Sequence, residues 1–135
     1  MSSKEEVHEI LVGWFSVTIG SALSAALASW VVNGGSTTLY YKFGQHGLLW
    51  ALVEGPLVFI ATDYITYWHH RVYHMPFLYK HFHKLHHTYK QPTAFSVTAI
   101  HPVEFLNIQF IYIAPMFTVP MYAREYNLVH EISLF

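Results

Sequence analysis

Three apolar stretches divide the chain, and its polar positions lie between them. Residues 10–32 form the first, with no charged side chain over 23 positions. A helix of that length extends roughly 34 Å, which exceeds the hydrocarbon thickness of about 30 Å in a bilayer. Residues 43–68 form the second stretch and residues 102–121 the third. In the third, Pro115 and Pro120 favour a kinked or re-entrant segment over a straight span.

This pattern predicts an all-α integral membrane protein, in which a helical hairpin carries a histidine-rich cap. Residues 1–9 are a polar N-terminus, residues 10–32 and 43–68 are predicted transmembrane helices, and residues 69–101 form the cap. Four basic residues follow the second helix: Arg71, Lys80, Lys84 and Lys90. The loop between the two helices contains one, Lys42. Because basic residues favour the cytoplasmic side, we expect the cap to be cytosolic.

Composition supports a membrane protein and narrows its chemistry. Hydrophobic residues make up 53% of the chain and charged residues only 11%, against about 25% charged in a typical soluble domain. The net charge of −1 gives no electrostatic basis for binding nucleic acid. Cysteine is absent, which excludes disulfides, cysteine-ligated zinc and a thiol nucleophile. Any bound metal must therefore be held by His, Asp or Glu.

Seven of the eleven histidines lie between His69 and His87. Neutral imidazole is the commonest protein ligand for transition metals. On a helix, His70 and His74 share one face. A second group has spacings of three and one, so that its members also converge: His83, His86 and His87. Five donors exceed the three or four that a zinc site uses and indicate more than one ion. Imidazole suits Zn, Cu, Fe and Ni, so the metal stays open.

Neighbouring polar residues are candidates to support these ligands. Asp63 and Tyr67 lie on the same helical stripe as His70, and metal-bound histidine usually donates its other ring N–H to such a partner. His81 is a candidate accessory ligand. His101 precedes a predicted helix start and is either a cap or an accessory ligand, with the cap favoured.

Three motifs resemble those of the fatty acid hydroxylase and sterol desaturase superfamily. Residues 63–74, DYITYWHHRVYH, resemble its first histidine box, and residues 78–87, LYKHFHKLHH, resemble its second, H-x-x-H-H. Residues 101–104, HPVE, resemble an H-P-x-E element that tends to follow. The resemblance is strongest to the sterol-oxidising branch, which includes 4-methylsterol oxidases and sterol C-5 desaturases. Residues 43–135 are accordingly predicted to be a partial domain of this superfamily.

The resemblance implies a non-haem di-iron oxidoreductase of the endoplasmic reticulum. It implies O₂-dependent hydroxylation or desaturation of a membrane lipid, either a sterol or a fatty-acyl chain, in lipid biosynthesis. Electrons would come from NAD(P)H through cytochrome b5 or a similar electron-transfer protein. The metal ligands that it implies are His70, His74, His83, His86 and His87.

One element of the family is missing, and its absence leaves other functions open. Members carry a third histidine box further along, whereas only His101 and His130 follow His87 here. The ligand set is therefore incomplete, and this chain alone is not expected to hold two irons. We favour a C-terminally truncated sequence over the other two explanations, a shortened splice form and a protein that has lost catalysis. The first alternative is a non-catalytic or zinc-binding membrane protein. The second is a helical hairpin that binds haem through two axial histidines.

Overall fold

Two long helices, of 30 and 26 residues, make up about half of the described residues. The computed structural model describes residues 3–88 and 98–127, without the side chains of residues 3–5 and 86. Helix α1 is Ser3–Val32 and helix α2 is Leu48–Tyr73. Both are long and apolar enough to cross a membrane. In the most apolar 18-residue segment of each helix, only 17% of the residues of α1 and 28% of those of α2 are buried. Their large apolar side chains thus face outward, as on helices that contact lipid. The predicted helical membrane fold is confirmed.

Helix α2 begins later than the apolar stretch that predicted it. The stretch starts at residue 43, but the helix starts at Leu48. Gly44 and Gly47 have φ angles of 72° and 94°, in the left-handed region that glycine adopts without steric cost. These two residues turn the chain, so that the helix cannot begin before them.

The same helix continues beyond its predicted end at residue 68. It ends at Tyr73, and Met75 is extended with a ψ of 142°. An extended conformation is expected there because the ring of Pro76 disfavours helix in the preceding residue. As a result, His70 lies on the last turn of a membrane-type helix rather than after it.

The third apolar stretch is broken, as its prolines predicted. After a short helix α3 (Pro76–Leu78), helix α4 is Pro102–Ile113, and the four-residue helix α5 is Pro115–Thr118. Helix α4 packs against both α1 and α2. A Cβ atom placed on Gly20 of α1 would lie 2.6 Å from Cε1 of Phe105. The absence of a side chain at this glycine is what lets the two helices approach so closely.

A short β pair, which the sequence did not predict, closes the end opposite the histidines. Strands β1 (Leu39–Tyr40) and β2 (Met121–Tyr122) run parallel. The carboxylate of Glu54, fully buried on α2, accepts hydrogen bonds from the Tyr40 hydroxyl at 2.7 and 2.8 Å. It also accepts from the backbone N–H of Tyr122 at 3.1 Å. Burial and the hydrogen bond to Glu54 raise the pKa of Tyr40 to about 12, so its hydroxyl stays a donor.

We expect Tyr40→Phe to lower the free energy of unfolding by about 1–3 kcal/mol, because it leaves a buried carboxylate without its strongest donor. Tyr41→Phe is the matched control, since Tyr41 is 71% exposed and its replacement should change stability by under about 0.5 kcal/mol. Unfolding of both variants in detergent micelles measures the difference. Equal stability of Tyr40→Phe and the wild type would contradict the structural role of Glu54.

Candidate metal centre

Four imidazole rings converge where α2 ends. His70, His74, His83 and His87 each offer a ring nitrogen, and these nitrogens all lie within 4.8 Å of one another. The Nε2 atoms of His70 and His74 are 3.1 Å apart, and those of His83 and His87 are 2.9 Å apart. We refer to these four residues as the histidine cluster. It consists of two pairs of histidines, His70 with His74 and His83 with His87. The two residues of each pair are four positions apart, and the two pairs face each other.

A reversal of the chain brings the two pairs together. After Pro76, helix α3 (Pro76–Leu78) leads into a π-helical turn, Tyr79–His83. Its wider hydrogen bonding, from the Lys84 N–H to the Tyr79 carbonyl at 2.8 Å, is a feature often found at functional sites.

The π-helical turn places His83 directly against the other pair. The ring centroid of His83 lies 4.6 Å from that of His70 and 4.7 Å from that of His74. A 3₁₀ turn, His86–Thr88, then carries His87 to the same place. His83 is fully buried, whereas the other three rings of the cluster are exposed. His83 is therefore the innermost residue of the cluster, and the surrounding protein encloses its ring.

A buried carboxylate on α4 contacts His83. Oε1 of Glu104 lies 2.6 Å from Nδ1 of His83, and both side chains are buried. Burial raises the pKa of Glu104 to about 7. His101 is the N-cap of α4, because its Nδ1 accepts from the Val103 N–H at 3.2 Å. The cap starts the helix at Pro102 and thereby places Glu104 on its first turn.

Asp63 and Tyr67, the partners expected from the sequence, lie elsewhere. Both are exposed, and the Tyr67 hydroxyl accepts from Nη1 of Arg71 at 3.0 Å. Asp63 precedes His70 by seven positions, an axial distance of about 10 Å on a helix, which a short carboxylate cannot bridge. Among the described residues, the carboxylate in contact with the cluster is Glu104. The H-P-x-E element contains this glutamate, but the element alone does not indicate that the carboxylate contacts His83.

The remaining histidines of the segment divide into other roles. Nδ1 of His81 lies 2.7 Å from the Phe77 carbonyl, and its exposed ring is outside the cluster. His69 packs on the ring of Tyr73, with centroids 4.4 Å apart. The side chain of His86 lies outside the described residues, so its assignment as a ligand stays a prediction.

The donor set fits a transition-metal ion. Zinc binds imidazole nitrogen at about 2.0–2.1 Å, so the nitrogens of a tetrahedral site lie about 3.3–3.4 Å apart. The two close nitrogen pairs, at 3.1 and 2.9 Å, are near that separation, and the cluster would contract from its spread of at most 4.8 Å to enclose one ion. The four nitrogens thus suit a single ion, and a second ion would need further donors.

The fold and the cluster define the class: a helical membrane-type protein with a cluster of histidines that could hold a metal ion. The sequence matches the family described as fatty acid hydroxylase over residues 55–134, a range that includes the cluster and Glu104. The chain belongs to this family, as its three motifs indicated.

Curated relatives support the resemblance to the sterol-oxidising branch. The Delta(7)-sterol 5(6)-desaturase ERG3B of Gibberella zeae is 32% identical over 115 residues, covering 81% of this chain and 35% of that protein. Lathosterol oxidase of Rattus norvegicus is 42% identical over 72 residues, covering 52% and 24%. A very-long-chain aldehyde decarbonylase of Oryza sativa is 36% identical over 74 residues, covering 53% and 28%. The chain thus spans about a third or less of the length of these relatives. No solved structure matches it significantly.

We expect His83→Ala to weaken Zn²⁺ binding at least about tenfold, because it removes the buried imidazole nitrogen of the cluster. Competition with a chromophoric chelator, on detergent-purified protein, measures the affinity. His81→Ala is the matched control: it removes a nearby imidazole outside the cluster and should leave the affinity unchanged. If the two variants bind Zn²⁺ equally tightly, the cluster is not the binding site.

Proposed function

We propose that this chain forms part of a membrane oxidoreductase that hydroxylates or desaturates a lipid with O₂. The observation that carries the proposal is the convergence of four imidazoles at the end of an apolar helix, within the segment that matches the family. Enzymes that oxidise sterols are prominent among the relatives, so a sterol is the favoured substrate and a fatty-acyl chain the second.

Iron is the metal that we propose, as two non-haem ions in the complete site. Iron held there would supply the activation of O₂ needed to oxidise an unactivated C–H bond. His70, His74, His83 and His87 would hold one ion, and His86 with donors outside the described residues would help to hold the other. Neutral imidazoles bring no charge, so they leave the positive charge of the metal largely uncompensated.

The outer surface of α2 suggests how a lipid reaches the cluster. Trp68 and Tyr67 are exposed close to His70, and Arg71 lies 5.3 Å from the centroid of the Trp68 ring. Aromatic residues with a neighbouring arginine are typical of the membrane–water interface. The cluster would therefore sit at headgroup depth, where a lipid can approach from the bilayer while the apolar surroundings limit access of water.

We further propose the endoplasmic reticulum as the location, with the cluster on the cytosolic side. NAD(P)H would then supply electrons through cytochrome b5 or a similar carrier. The excess of basic residues after α2 supports this orientation.

The orientation can be tested with single cysteines, because the chain contains none. Lys80→Cys should react with a membrane-impermeant maleimide in sealed microsomes, since Lys80 is exposed on the histidine side. Lys42→Cys, exposed in the loop between α1 and α2, should react only after permeabilisation. The reverse pattern would contradict a cytosolic cluster.

A zinc-binding membrane protein without catalysis is the second candidate. Four nitrogen donors are the number that closed, structural zinc sites use, whereas catalytic zinc sites keep one position open. The four convergent donors are thus also compatible with this function, and the metal content together with turnover distinguishes the two candidates.

If the oxidoreductase proposal is right, the full-length protein that includes this sequence should oxidise a lipid. A hydroxylase should incorporate one ¹⁸O atom from ¹⁸O₂ into its product, and a desaturase should form a new double bond. The test uses purified protein in lipid vesicles with NADPH, reductase and cytochrome b5, and mass spectrometry of added Δ7-sterol or fatty-acyl lipid. His87→Ala should lower turnover at least about 100-fold through loss of a metal ligand, with His81→Ala as control. Bound zinc without turnover in the wild type would favour the second candidate.

A further inference from the structure

Glu104 holds the one buried ring of the histidine cluster. We propose that Glu104 is a positioning residue, which accepts the Nδ1–H of His83 and so leaves Nε2 of that ring as the metal ligand. The proposal rests on the proposed metal-binding function, and it adds a residue outside the histidine boxes to the site.

The two nitrogens of His83 face different partners. Nδ1 lies 2.6 Å from Oε1 of Glu104, and Nε2 lies 2.9 Å from Nε2 of His87. A neutral imidazole carries one proton on one of its two nitrogens. In its ionised form Glu104 only accepts, and it then keeps that proton on Nδ1, so the lone pair of Nε2 points into the cluster.

Burial makes this contact decisive for His83. Its side chain is fully buried, whereas the other three rings of the cluster are exposed. An exposed ring can exchange tautomers through water, but a buried ring depends on the protein groups around it. His83 is thus the cluster member whose tautomer a protein acceptor must fix.

The carboxylate itself is arranged for this contact. Its second oxygen, Oε2, is buried and has no hydrogen-bond partner in the described part of the chain. Burying a carboxylate with one oxygen unpaired is costly, so packing alone is a poor reason for glutamate at this position. A requirement for one strong acceptor at His83 explains it.

The same face of α4 also holds the end of α2. Asn107, three positions after Glu104, donates from Nδ2 to the Tyr73 hydroxyl at 2.8 Å. The Tyr73 ring lies between α4 and the cluster, with its centroid 6.0 Å from that of His83. Helix α4 therefore contacts both segments that supply histidines, and Glu104 makes the direct contact with a ligand.

The test compares Glu104→Ala and Glu104→Gln with Glu54→Gln, in detergent-purified protein. Glu54 is the matched control, because it is equally buried and hydrogen-bonded but lies near the opposite end of α2. We expect Glu104→Ala to weaken Zn²⁺ affinity about 10- to 100-fold. Glu104→Gln, which keeps the shape and a weaker acceptor, should lie between it and the wild type. Glu54→Gln should bind Zn²⁺ like the wild type, whatever its stability.

A second measurement reads the tautomer without metal. With ¹⁵N-labelled histidine, NMR of the metal-free protein at about pH 8.5, above the Glu104 pKa of about 7, should show His83 with its proton on Nδ1. Glu104→Gln should increase the Nε2–H form, since a side-chain amide can also turn its N–H₂ toward Nδ1.

The outcomes separate the two proposals. If folded Glu104→Ala binds Zn²⁺ as tightly as the wild type, or if Glu104→Gln leaves the tautomer unchanged, the role of Glu104 is overturned. If the wild type binds no Zn²⁺ or Fe²⁺, the proposed metal centre fails instead. If Glu104→Ala does not fold, the Zn²⁺ affinity of Glu104→Gln is compared with that of Glu54→Gln. Equal affinities of these two variants would overturn the role of Glu104.

Discussion

The convergence of imidazoles from two sides of a chain reversal is the interaction on which the site depends. One pair, His70 and His74, comes from the end of a long apolar helix, and the other, His83 and His87, from the turns that follow. Within each pair a spacing of four aligns the rings, and Pro76 causes the break that turns the second pair back on the first. Ring nitrogens at 2.9 and 3.1 Å could share only a proton or a metal ion.

Buried carboxylates near both ends of α2 connect segments that are distant from each other along the chain. Glu54 binds both short strands through Tyr40 and Tyr122. At the other end, Glu104 reaches from α4 to His83. In an apolar surrounding each such contact is strong when made and costly when broken. Together they explain how a chain with so few charges fixes the position of its histidine segment.

Much of this arrangement could be predicted from the sequence, because its signals are local. The charge-free run at 10–32 gave a membrane-type helix, Pro115 gave a break, and spacing paired His70 with His74. The ends of α2 were missed by several residues, since hydropathy cannot register the left-handed Gly47 or the continuation of the helix through polar residues such as Arg71.

The contacts that the sequence could not reveal are those between distant positions. Glu104 is 21 positions from His83, and nothing in periodicity links them. Asp63 was the nearer carboxylate along the chain, but α2 keeps it about two turns from His70. The strand pairing of Leu39 with Met121 is likewise non-local. Short-range pattern thus located four histidines that converge, whereas the packing of α4 determines which carboxylate contacts them.

X-ray absorption of the zinc-loaded protein tests the central claim most directly, because it counts and identifies the atoms around the ion. The account predicts a first shell of nitrogens at about 2.0–2.1 Å, with the multiple-scattering pattern of three or four imidazole rings. A shell of water or carboxylate oxygens, with one imidazole or none, would contradict it.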